Sequence, residues 1–112
     1  MAPTTVIVHD IDHADLAAAA SARLGLAVAL RSPPGGAATL GPQVFQAIIT
    51  EARRRHPASA IEGILDCGGD AGHALAALRA GIDAVRVDLA PEPRRRVGDI
   101  ATACDATSLR VS

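Results

Sequence analysis

Apolar residues in this chain fall into two kinds of run that take turns. Short β-branched runs, beginning with Val6-Ile7-Val8, alternate with longer stretches rich in Ala and Leu. The first kind suits buried strands and the second suits helices. The pattern predicts a first strand near Thr5 to His9 and a helix from about His13 to Leu24. Asp12 is placed to cap that helix and Gly25 to close it. A second strand follows near Leu26 to Leu30. Ser32-Pro33-Pro34-Gly35-Gly36 then reads as a loop from its turn chemistry. Pro42 opens a helix that runs to about His56 and stops at Pro57, with Arg53, Arg54 and Arg55 in the last turn. A third strand covers Ile61 to Asp66. Cys67-Gly68-Gly69 turns into a helix from about Asp70 to Ala80, which Gly81 ends. A fourth strand spans Ala84 to Val87, a last helix Pro91 to Ala103, and a final strand Ser108 to Val111. Arg110 inside that final strand places it at a sheet edge.

Strand and helix alternate four times before the last strand. Such alternation implies a single α/β domain over residues 1–112 with a five-stranded, mostly parallel sheet. The expected architecture is a three-layer α/β/α sandwich, flavodoxin-like or Rossmann-like, with helices on both faces. A complete eight-stranded barrel needs more than twice this length. A half-barrel that completes itself by dimerising is the alternative.

Composition narrows the chemistry. The 112 residues are 49% hydrophobic with a net charge of -1, which speaks against disorder and against electrostatic binding to nucleic acid or a membrane surface. One Phe and no Tyr or Trp leave no stacking platform for bases. All eleven basic residues are Arg. A protein Schiff base, including lysine-bound pyridoxal phosphate, is therefore impossible, and so is a P-loop lysine. The Arg, Ala, Gly and Pro bias fits a GC-rich, bacterial type of coding sequence. Two cysteines make neither a disulfide framework nor a zinc motif. The lack of a leader-like segment or a long apolar run gives the cytoplasm as the expected location.

In parallel α/β sheets, ligands bind beyond the carboxyl ends of the strands. Those ends carry most of the chemistry here. His9-Asp10-Ile11-Asp12-His13 follows the first strand and Arg31-Ser32 the second. Asp66-Cys67-Gly68-Gly69-Asp70-Ala71-Gly72-His73 follows the third and Asp88 the fourth. Each residue also has a plain structural role open to it. Asp12 and Asp70 suit helix caps, His13 and His73 suit exposed first turns, and Asp88 suits a strand end.

Three segments resemble known families. Cys67-Gly68-Gly69-Asp70-Ala71-Gly72, with Asp88 beyond it, resembles the Rossmann dinucleotide fingerprint. Gly69 and Gly72 match its second and third glycines and Asp88 its ribose-binding acid, while Cys67 stands at the first glycine. Residues 61–100, including Ala77-Leu78-Arg79-Ala80-Gly81, resemble the last part of a response-regulator receiver domain. Asp10 and Asp12 resemble that family's acidic cluster, but its lysine has no counterpart and no strand offers the phosphoacceptor aspartate. The resemblance therefore implies a receiver-like fold used for binding rather than phosphotransfer. The stretch from Ala77 to Asp88 also resembles βα units of aldolase-type barrels.

Two functions follow. The preferred one is a non-catalytic binding or interaction domain, a homodimer. Its ligand would be a small anion held by Asp10, Asp12, Gly68, Gly69, Gly72 and Asp88 with the backbone amides among them. The alternative is an enzyme acting on a small molecule or nucleotide at the same edge. Asp66, Cys67 and His73 are its catalytic candidates, and Asp10, Asp12 and Asp66 its candidate ligands for a divalent cation. A thiol before a helix N-terminus is the candidate nucleophile.

Overall fold

A computed structural model describes residues 4–110, with side chains described through Ser108. The elements are β1 (Thr4–Ile7), α1 (Ile11–Leu24), β2 (Ala27–Arg31), α2 (Gly36–Thr39), α3 (Pro42–Arg55), β3 (Ala60–Gly68), α4 (Ala71–Arg79), β4 (Ala84–Val87), α5 (Pro91–Ala103) and β5 (Thr107–Arg110). The fold is α/β, with five strands all parallel and a helix in every connection. One helix was not expected. Residues 36–39 form the single turn α2 where the Pro/Gly-rich stretch reads as loop. Val111, expected in the last strand, lies outside the described residues.

What differs from expectation is the winding. The strands lie in the order β1-β2-β3-β4-β5, so every crossover joins neighbours. Crossovers of one hand between successive neighbours put every helix on the same side. Accordingly, α1 packs on α3, α3 on α4, and α4 on α5. Their buried residues, including Ala14, Ala18, Phe45, Ile49, Ala77 and Val97, share one core with Leu30, Leu65, Val85 and Val87 of the sheet. The molecule thus has two layers, not three, and its order lacks the reversal of flavodoxin-like and Rossmann-like sheets. Without that reversal there is no switch-point crevice. Sequential neighbours with helices on one side are the order of a partial barrel.

Among the described residues no helix covers the other side of the sheet. Strand alternation assigns it Thr5, Ile7, Ala29, Arg31, Glu62, Ile64, Asp66, Ala84 and Arg86, since Val6, Leu30, Leu65 and Val85 face the core. Ala29, Ile64 and Ala84 are nevertheless buried and form a separate small cluster there. Ile64 lies between its register partners Arg31 and Ala84.

Candidate functional site

Each loop at the carboxyl edge is shaped by its own short-range chemistry. Asp10, not Asp12, caps α1. Its Oδ1 accepts the His13 backbone N–H at 2.9 Å, and Asp12 falls in the exposed first turn. That N–H bond holds the Asp10 carboxyl below its ordinary pKa. The His13 ring accepts the His9 N–H on Nδ1 at 3.2 Å, and the two imidazoles meet edge to face. Asp70 caps α4 in the same way, taking the His73 N–H at 3.0 Å. The helix N-terminus that a pyrophosphate would use in a Rossmann site therefore already holds a carboxylate.

Between β3 and α4 the chain turns sharply. Gly68 has φ +55°, a conformation that favours glycine, and the β3–β4 register shifts between Asp66 and Gly68. The Asp66 Oδ1 accepts the Gly68 N–H at 3.0 Å, and the Gly68 carbonyl accepts the Asp88 N–H at 2.8 Å. Gly69 lies close under the Asp88 carbonyl, and Gly72 packs on the Asp70 carboxylate. The structure thus joins Asp66, Gly68, Gly69, Asp70, Gly72, His73 and Asp88 in one loop cluster. It does not bring Asp10 and Asp12 to Asp66. They follow β1, two strands away, or roughly 10 Å across the sheet. Among the described residues no three His, Cys, Asp or Glu side chains are grouped as a metal would need.

Cys67 lies on the opposite face from Asp66, inside the helix-side core and only 4% exposed. Burial pushes its thiol up to about 12, with the Asp66 and Asp70 charges adding to the shift. The expected thiolate is therefore suppressed. Cys104, by contrast, is exposed. A disulfide reagent should thus titrate one thiol in the native protein and both in denaturant; two fast-reacting native thiols would contradict the buried placement. The shift also carries a pH dependence. A thiol that ionises near 9 when unfolded and near 12 when folded favours the fold fully below pH 9. That contribution is lost as pH rises from 9 toward 12.

The helix-free face carries a constellation that the loop residues do not suggest. Asp66, on the central strand, is 6% exposed. Arg31 on β2 and Arg86 on β4 flank it, with guanidinium nitrogens 3.9 and 3.8 Å from Asp66 Oδ2. Those separations are ion-pair contacts too long for hydrogen bonds. Both arginine side chains are about three-quarters covered, at 25% and 23% exposed. The Arg31 Nε is buried and has no hydrogen-bond partner among the described residues. Two cations and one anion leave a net positive charge.

Beneath this cluster, Ser32 is fully buried. Its Oγ accepts the Asp66 N–H at 2.9 Å and donates to the Pro33 carbonyl at 3.2 Å. Ser32 thereby fixes the β3 backbone at the residue that carries the carboxylate. Reading residues at strand ends missed Arg31 and Arg86 as a pair. The available signal was an arginine at the end of one buried apolar strand and another inside the next but one. A cation inside an apolar parallel strand demands a partner, and Asp66 ended the strand between them.

No known family model matches the chain, and no characterised protein matches it in sequence.

Proposed function

We propose that the protein is a non-catalytic binding domain that holds a small oxyanion, a carboxylate or a phosphate group, between Arg31 and Arg86 on the helix-free face of the sheet. One observation carries this reading: two largely covered guanidinium groups flank a single carboxylate at ion-pair distance without hydrogen-bonding to it. Each guanidinium has five N–H donors in a planar fork that matches carboxylate and phosphate oxygens. The buried Arg31 Nε–H has no acceptor among the described residues, which is costly, and an anion would relieve that cost while cancelling the net charge. Asp10 and Asp70 serve as helix caps, and Asp66 stands between the two arginines. The buried, protonated Cys67 on the other face favours binding over nucleophilic chemistry. Among the described residues no helix is long and apolar enough to cross a membrane. The two free thiols suit a reducing compartment, which for this reading is the cytoplasm.

Thermal unfolding in inorganic phosphate and in acetate, each matched in ionic strength with sodium chloride, tests the proposal. A ligand that binds only the folded state raises the melting temperature, by about 2.7 kcal/mol of stability at a hundredfold excess over Kd. At least one of the two anions should do so in the wild type. The rise should vanish in the Arg31→Gln/Arg86→Gln double variant. Asp66→Asn keeps an oxygen acceptor for the Gly68 N–H but removes the competing charge, so it should bind the same anion at least about tenfold more tightly. A wild type that responds to neither anion beyond the chloride control would sink the reading. So would a response that survives the double substitution. Phosphate and acetate responses separate a phosphate ester from a carboxylate as the natural ligand.

A further inference from the structure

We infer that the outer face of α1 is a self-complementary interface through which two copies of this chain pair, helix against helix and antiparallel. The inference is independent of the anion site, which lies on the other side of the sheet. On α1, Leu16 is 70% exposed and Leu24 61% exposed, and the patch continues through Leu26, 53% exposed, at the approach to β2. These are three of the most exposed large apolar side chains among the described residues, gathered at the β1 edge of the sheet. Single exposed leucines are ordinary, but a contiguous group marks a contact surface.

The shape of that face identifies its occupant. Leu16, Ala19, Ala20 and Arg23 line a concavity on the outer surface of α1. Their spacing of three, four and seven residues is that of the four-residue hole that receives a knob from a facing helix. The two alanines let a second backbone approach closely. The one large apolar knob at the centre of this face is Leu16 itself.

The charges give the same register independently. Asp12 and Arg23 are exposed at opposite ends of the same stripe. Neither takes part in an ion pair among the described residues, whereas Asp15, Glu51 and Glu92 all do. Seating Leu16 over the centre of the second copy's hole, midway between Ala19 and Ala20, sets Asp12 opposite the second copy's Arg23. The match is within half a residue, under ~1 Å of helical rise. The two-fold axis then repeats both contacts, as an isologous dimer requires. Two antiparallel helices also oppose their dipoles favourably.

The test is the oligomeric state of the full chain, read by sedimentation across a concentration series, with circular dichroism as the check on folding. The wild type should dimerise. Leu16→Glu, at a position that carries no core packing, should stay folded and weaken the dimer at least about a hundredfold. Asp12→Arg and Arg23→Asp should each weaken self-association through like charges. An equimolar mixture of these two variants should recover a dimer, because each supplies the charge the other lacks. A wild type that stays monomeric, a dimer indifferent to Leu16→Glu, or a mixture that recovers nothing would each overturn the inference.

Discussion

Replacing Gly36 with alanine should cost about 3 kcal/mol of folding stability, because the added methyl group has nowhere to go. Gly36 opens α2 and is buried against Ser32. A Cβ built there would lie 2.5 Å from the Ser32 Cβ, far inside van der Waals contact. Ser32 cannot turn aside. It is fully buried, and its Oγ holds both the Asp66 N–H and the Pro33 carbonyl. The backbone must move instead, at the point where β2 hands over to α2 and where β3 presents Asp66. Urea unfolding of Gly36→Ala beside Gly98→Ala gives an internal contrast. Gly98 lies inside α5 with open space around its Cα, so alanine there should stabilise by about 0.5–1 kcal/mol. Equal midpoints for the two variants would refute the steric account. If the anion reading holds, Gly36→Ala should also weaken anion binding, since Ser32 positions the residue between the two arginines.

The contrast between fold and site shows where sequence reasoning reached and where it stopped. Strand and helix positions were legible because local chemistry sets them. The β-branched run Val6 to Val8, Gly25 after α1, Pro42 at the start of α3 and Pro91 at the start of α5 each act within a few residues. Strand order was not legible. Nothing in the periodicity of β2 states whether β1 or β4 lies beside it, and a three-layer winding produces the same alternation of runs. Winding decides which side of each strand goes bare, so the misplaced layer concealed the site as well. With helices assumed on both faces, nothing brought Arg31 and Arg86 together. With one face open, they become two cations on alternate strands around a single carboxylate. The thiol shows the same dependence. Cys67 beside a helix start is a candidate nucleophile in sequence, but alternation from Asp66 turns it into the core. Likewise, the cap of α1 moved by two residues from Asp12 to Asp10, a boundary shift of ordinary size. That shift frees Asp12 for the surface.

Asp83 tests the structure at the opposite edge, where the sequence pattern drew attention to no acid at all. It stands just before β4, and its Oδ2 is the meeting point of three elements. It accepts the backbone N–H of Gly63 on β3 at 2.8 Å and a guanidinium N–H of Arg53 on α3 at 2.7 Å. Its own carbonyl accepts the Thr107 N–H that begins β5. Arg53 in turn donates to the Ile61 carbonyl at 2.9 Å, so one aspartate and one arginine tie the C-terminal end of α3 to the beginning of the central strand. The pair is partly exposed, and its ionic part is therefore worth little on its own. The larger part is the central-strand N–H, which loses its acceptor when the carboxylate is removed. Asp83→Ala should thus destabilise by about 2 kcal/mol, and Asp83→Asn, which keeps an oxygen for Gly63, by roughly half of that. Glu92→Ala supplies the reference, because among the described residues Glu92 pairs only with Arg95 and Arg96 of its own helix on the surface and should change stability by less than about 0.5 kcal/mol. Equilibrium unfolding in urea orders the three variants. If Asp83→Asn were as damaging as Asp83→Ala, the ionic pair would be the larger contribution and the strand amide the smaller. If Asp83→Ala matched Glu92→Ala, the carboxylate would not be holding the lower edge of the sheet.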